Sequence, residues 1–255
     1  MSIYNNTDLM EAILAEVKEF PGFGYETKNG LLDGTLTEYV DDRITQVGSY
    51  AFYGFANLKT VNLKNVESVA VGAFQLSGIT KATPENFPKV KTITGAAFRQ
   101  CTSLTEADFP LVTGTTGDWY GCTALVRVNF PNATTIGSFN LCKAITEFNA
   151  PLVTTIPANG LRGCAVLPKV DFHGSPSIGA YALCDNPKLV TVILRGSKVA
   201  TLANTTGLLN TPISAGTGYV YVPSALVEDY KAAANWSTYA KQIRAIEDYT
   251  EITGK

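Results

Sequence analysis

A chain of 255 residues, 45% of them hydrophobic, has enough apolar material for one large or two medium cores. With 20 Lys plus Arg against 22 Asp plus Glu, a formal net charge of −2 and no basic cluster, it lacks the electrostatic footprint of a nucleic-acid binder. Its longest apolar runs, such as residues 192–194, fall far short of the roughly 20 residues of a membrane helix, so no membrane insertion is expected.

Glu11, Glu16, Lys18 and Glu19 interrupt the first twenty residues. An uninterrupted apolar export region is therefore missing, and the expected location is cytoplasmic or particle-associated. Residues 8–20 read as an amphipathic helix: Asp8 is the N-cap, Glu11 follows three residues on, and Leu9, Ile13, Val17 and Phe20 share a face. Pro21 and Gly22 stop it. Its expected role is a lid over the apolar end of a repeat array, or alternatively a docking segment. Residues 22–34 read as turns, and residues 35–40 alternate as a first strand.

From Ile44 a frame of 20 to 24 residues repeats. Its first column is Phe52, Phe74, Phe98, Trp119, Phe139, Leu161 and Tyr181. Three residues beyond each come Phe55, Ser77, Cys101, Cys122, Cys142, Cys164 and Cys184, which places all five cysteines at one repeat position. A third column holds Leu58, Ile79, Leu104, Leu125, Ile145, Leu167 and Leu189, one residue early in the second coil and two late in the last. Each coil then carries a period-two segment, as in Val61 and Leu63, Ala107 and Phe109, Val128 and Phe130, Phe148 and Ala150, Val170 and Phe172, Val192 and Leu194. Such alternation is a half-buried strand. Equivalent strands of successive coils must stack in parallel about 4.8 Å apart, giving about seven coils with one parallel β-sheet. Residues 196–218, rich in Gly, Ser, Thr and Asn, predict an irregular excursion. After it, residues 219–222 alternate as a final strand, Ser224 can N-cap a helix bearing Leu226, Val227 and Tyr230, and a second short helix is expected from Ser237 to Ile246.

The recurring pattern I-x-x-I-G-x-x-A-F-x-x-C-x-x-L-x-x-V-x-F-P is carried by Val47-Gly48 with Ala51-Phe52, by Ile93 with Ala97-Phe98 and Cys101, and by Ile178-Gly179 with Cys184. It resembles the BspA-like leucine-rich repeats of bacteria, and the tail GYVYVPSALVEDYKAAANWSTYAKQIRAIED resembles their closing segment. The likeness spans about residues 35–247. It implies an α/β repeat protein: a right-handed leucine-rich-repeat solenoid with an N-terminal helical cap and a C-terminal strand-helix cap. The corresponding domains are 1–34 as helix and lead-in, 35–195 as solenoid, and 196–255 as excursion and cap. It also implies non-catalytic binding or adhesion toward a protein or glycan partner, and a cell-surface setting. The alternative is a structural or tail-associated component of a phage-type particle, with the solenoid as spacer or receptor-contacting tip.

Candidate chemistry is sparse. One thiol per coil makes a straight file rather than a tetrahedron, so small apolar side chains filling a buried slot is the expected role of the cysteines. Disulfides between stacked coils stay open on separation alone. His173 is the only histidine, and the repeat frame brings it no serine but its neighbour Ser175. Glycines 48, 72, 95, 137 and 179 recur with the coil and are turn formers rather than a phosphate cradle. Trp236 is a candidate sugar-stacking platform. No catalytic residue, cofactor or metal is therefore expected.

The outward strand positions carry the candidate interaction face. If Val61 and Leu63 point inward, their neighbours point out. One outward column is then Thr60, Lys81, Glu106, Arg127, Glu147, Lys169 and Thr191; the next holds Asn62, Thr83, Asp108, Asn129, Asn149, Asp171 and Ile193. The first alternates in charge and the second is small and polar. Both a self-satisfied ladder and a recognition surface fit this pattern.

Overall fold

The computed structural model describes residues 19–20, 36–115 and 117–253. Residues 1–18, where most of the expected helix falls, lie outside the described residues. Glu19–Phe20 are a strand paired in parallel with Gln46–Val47, so that helix does not run to Phe20. Backbone pairing with the next coil decides the conformation there.

The chain winds as a parallel-strand β-solenoid of about nine turns. Its main ladder runs through Glu38–Val40, Thr60–Asn62, Lys81–Ala82, Glu106–Asp108, Arg127–Asn129, Glu147–Asn149, Lys169–Phe172, Thr191–Leu194, Tyr219–Val222 and Ile243–Ala245. Inward and outward residues alternate as the period-two pattern requires: Val61, Ala107, Val128 and Val170 are buried between exposed or half-buried neighbours. Thr83, expected to face outward, is buried instead. It bonds to Asn86 within an inserted turn whose Asn86 side chain reaches the Val61 carbonyl at 2.8 Å and whose Phe87 enters the core.

A second ladder goes beyond the single sheet expected from the sequence. It consists of two-residue strands, Gln46–Val47, Ser68–Val69 and Thr92–Ile93, then Thr155–Ile156, Ser177–Ile178 and Thr201–Leu202. Single bridges from Thr115 to Thr135 and from Thr135 to Thr155 continue it between these groups. The solenoid thus has two parallel ladders rather than one sheet, and strands of two residues are too short to leave a period in the sequence.

Between the ladders the aromatic column forms the spine of the core. Phe52, Phe74, Phe98, Trp119 and Phe139 stack with centroids 4.5 to 5.9 Å apart and ring planes within 10° of parallel. Each such pair contributes about 0.5–1.5 kcal/mol beyond the burial of its area. The backbone N–H of a column member bonds to the carbonyl just before the next, as in Phe52 to Ala73 at 2.7 Å and Phe139 to Gly160 at 2.7 Å. By this rule Leu161 bonds to Ala182 and Leu183 to Gly207, which makes Leu183 and then Leu208 the next two members. Tyr181 is 39% exposed and lies outside the column.

Correcting that anchor by two residues moves the next column as well. Its members are Phe55, Ser77, Cys101, Cys122, Cys142, Cys164, Asn186 and Thr211, all buried. Four cysteines share this position; Cys184 is buried beside it. The residue two places after the spine is left-handed in every coil, with φ of 57 to 73° at Gly54, Leu76, Gln100, Gly121, Leu141, Gly163, Asp185 and Asn210. For a side chain other than glycine that conformation costs about 1–2 kcal/mol. It is offset because each such N–H, from Gly54 to Asp185, bonds to the following coil.

The repeat does not end near Arg195. Residues 201–222 make another coil, with Leu208 in the spine, Thr211 in the next column and Tyr219–Val222 paired to Thr191–Leu194. Thereafter a 3-10 turn at Ser224–Leu226 leads into a helix at Val227–Ala232 and a 3-10 stretch at Trp236–Gln242. Ser224 offers no cap through its side chain; its N–H instead bonds the Glu247 carboxylate at 2.9 Å. Within the span expected to be a second helix, Ile243–Ala245 form a strand beside Tyr219–Val222.

Candidate interaction face

The register of the main ladder fixes the outward columns. Lys81, Glu106, Arg127 and Glu147 are successive partners, as are Lys169, Thr191 and Tyr219, while Thr60 lies beside Glu38. In the adjacent column Asp108, Asn129 and Asn149 are partners, as are Asp171, Ile193 and Tyr221, and Asn62 lies beside Val40. The expected outward residues Thr60, Asn62, Lys81, Glu106, Asp108, Arg127, Asn129, Glu147, Asn149, Lys169, Asp171 and Thr191 are all exposed or half-buried.

Much of this face is bonded along its own columns. Lys81 Nζ lies 3.2 Å from Glu106, and Arg127 lies 3.7 Å from Glu147. In the second column Asn149 donates to Asn129 at 2.6 Å and Asn129 donates to Asp108 at 2.7 Å, a directional amide chain ending on a carboxylate. Asp171 receives both Nε and Nη2 of Arg195 at 2.8 Å, a bidentate pair whose hydrogen bonds raise the arginine further above its ordinary range. Near the first coils Asp41 is clamped by Arg43 and by the Tyr39 hydroxyl. Burial alone would push its carboxyl up, but these hydrogen bonds outweigh it and hold the group below the usual carboxylate range.

Other candidate sites resolve into structural roles. The thiols of Cys101, Cys122, Cys142 and Cys164 donate to the carbonyls of Phe74, Phe98, Trp119 and Phe139 at 3.0 to 3.4 Å, each reaching the spine residue one coil back. Asn186 fills the same role with an amide, donating to the carbonyls of Leu161 and Leu183 at 2.9 Å. From Cys101 onward the column therefore holds a small buried donor, most often cysteine. Burial pushes the Cys101, Cys122, Cys164 and Cys184 thiols upward, to about 12 at Cys164 and about 11 at Cys184. All five cysteines are free. His173 is exposed, and the Ser175 hydroxyl is committed to the Lys198 carbonyl at 2.7 Å.

Trp236 is no sugar platform. It is 1% exposed, and its indole N–H donates to the Ala200 carbonyl at 2.6 Å. Tyr230, Asn235 and Tyr239 likewise bond to Ala200, Leu202 and Thr205 around the last strand of the second ladder. Sequence reasoning placed the outward columns but missed these contacts, since nothing in the cysteine-bearing frame points to a coil at residues 196–218. Among the described residues no helix is long and apolar enough to cross a membrane.

The coil geometry has counterparts among known proteins. A model of the BspA type leucine rich repeat region matches residues 36–138 and 117–206, in six copies. The chain belongs to the BspA-type leucine-rich repeat family. Among solved structures it is similar to a leucine-rich cell surface protein from Faecalibacterium prausnitzii, with a TM-score of 0.42 and 17% identity over 90% of this chain and 82% of that one. It is similar to the pneumococcal vaccine antigen PcpA, with a TM-score of 0.41 and 14% identity over 82% of this chain and 65% of that one. A leucine-rich repeat protein from Bacteroides ovatus gives a TM-score of 0.33 and 14% identity over 90% and 88%. Comparison with curated protein sequences returns no match. Within this BspA-type chain the cysteine-bearing column belongs to the core, and the residues that vary in chemistry from coil to coil are those facing water.

Proposed function

We propose that this BspA-type repeat protein is a non-catalytic interaction protein that presents the outward face of its main ladder to a protein or glycan partner. The observation that carries this reading is the register itself: twelve polar or charged side chains stand at defined intervals along two neighbouring columns, none of them buried. Solenoid faces of this kind recognise partners by extended complementarity rather than by a pocket. On this reading the coils wind right-handed, residues 1–34 lead into them, and the segment after Val222 caps their far end. The capping role is supported by the bonds of Tyr230, Asn235, Trp236 and Tyr239 to the last coil.

The test is a triple charge reversal, Glu106→Lys, Arg127→Glu and Glu147→Lys. Wild type and variant are compared on panels of immobilised glycans and extracellular proteins, with circular dichroism and melting as controls. Loss of every specific signal by a folded variant supports the face. Retained binding removes it from consideration.

A further inference from the structure

The outward face changes character along its length. From Glu38 to Asp171 its outward strand positions are polar or charged apart from the exposed Val40; at Ile193 and Tyr221 it turns apolar. Outward positions of a solvated sheet should stay exposed, yet Ile193 is 1% and Tyr221 7% exposed. What covers them is the chain's own end. Ile246, Tyr249 and Ile252 pack onto these two residues beside Tyr219. The Tyr221 and Tyr249 rings meet edge to face at 5.1 Å. Arg195, already held by Asp171, donates a further hydrogen bond at 2.9 Å to the carbonyl of Ile252. On the other side Arg244 lies 4.6 Å over the Tyr219 ring.

The covering segment is slight. Thr250–Thr253 form a single helical turn; Tyr249 and Ile252 are only half-buried, and Thr250 and Glu251 are exposed. A polar contact to the sheet is the bond from Arg195 to the Ile252 carbonyl. Tethering presents so short a segment to the sheet at an effective concentration of the order of millimolar.

We propose that residues 249–253 occupy, in cis, a peptide-docking site formed by Ile193, Arg195, Tyr219 and Tyr221. The partner that fits it is a peptide segment with an aromatic and an aliphatic side chain three residues apart in an acidic setting. The chain's own occupant displays this chemistry in Tyr249 and Ile252, with the exposed Asp248 and Glu251 adjacent to them in sequence. This site continues the same columns beyond their polar part and stands whether or not that part binds anything.

The test uses the full chain. A Tyr249→Ala/Ile252→Ala variant opens the site, and a fluorescein-labelled peptide with the sequence of residues 248–255 serves as probe in fluorescence anisotropy. The opened variant binds the probe at least about tenfold more tightly than wild type, whose tethered segment competes. Arg195→Gln in the opened background weakens binding about tenfold, the worth of a charge-assisted hydrogen bond. A probe lacking its own Tyr and Ile does not bind. Ile252→Asp gives a second way to open the site. The inference is overturned if both opened variants keep their circular dichroism and bind no probe, or if wild type binds as tightly as they do. Charge reversal at Glu106, Arg127 and Glu147 leaves this probe's binding intact, which separates the two sites.

Discussion

Single residues decide how closely the coils can approach. At Gly137 an added Cβ would sit 1.5 Å from the Gly117 carbonyl oxygen of the previous coil, a backbone contact with nowhere to yield. Gly114 has nothing within 4 Å of the same position. Gly137→Ala should therefore cost about 3 kcal/mol or more, at the upper end of overpacking effects, while Gly114→Ala stays near neutral in urea denaturation. The buried donor column makes a second expectation. Asn186→Ala strands the Leu161 and Leu183 carbonyls and should cost about 2–4 kcal/mol, most of it desolvation of groups left unpaired.

The thiols add a pH dependence whose sign is fixed. An unfolded cysteine titrates near about 8.5, whereas burial raises Cys184 to about 11 and Cys164 to about 12. Between those values the unfolded chain has lost protons that the folded chain retains. Stability from this source is complete below about pH 8.5 and declines as pH rises toward 12, by at most about 1.4 kcal/mol per pH unit for each thiol. Melting temperature should fall from pH 8 to pH 10.5, and less steeply in Cys164→Ala. A flat profile would contradict protonated buried thiols.

At the level of the strand and its neighbours, the outward ion pairs differ in what they contribute. Lys81 with Glu106 and Arg127 with Glu147 are solvated, single-contact pairs, and exposed pairs of this kind are worth under about 1 kcal/mol. Glu147→Gln should scarcely move the melting temperature. Asp171 with Arg195 is bidentate, partly shielded and bonded onward to Ile252, so Asp171→Asn should cost about 1–3 kcal/mol. The contrast separates ion pairs that stand in solvent from one that is bonded to another segment of the chain.

How far these elements are legible in the sequence depends on length and spacing. Three-residue strands leave an alternation, so the main ladder and its outward residues can be read from Thr60 to Thr191. Two-residue strands such as Ser68–Val69 leave none, and the second ladder appears only when the coils are stacked. The misplaced Tyr181 has a visible signal: it puts Leu189 eight residues away where most coils have six, and Leu183 restores the interval. The coil at residues 201–222 carries Leu208 and Thr211 where a search for aromatic and cysteine finds neither. It keeps the volume and hydrogen bonding of the other coils rather than their residue types.

Over the whole molecule, stability should propagate from neighbour to neighbour along the spine. Trp119 stacks on Phe98 and Phe139 and meets Phe109 and Phe130 at an angle, so Trp119→Ala removes four ring contacts at once and should cost about 3–5 kcal/mol. One stacking order of the coils, kept across the breaks in strand pairing after Asn62 and after Asn149, assigns the strand residues to the core or to the surface. It is tested most directly by the spin-label distance between Thr60→Cys and Thr191→Cys, with the five native thiols buried and silent to the label. Six strand spacings of about 4.8 Å predict a single distribution centred near about 30 Å, with two labels per chain. A distance well beyond about 45 Å or under about 20 Å, or labelling of the native cysteines, would contradict that stacking order.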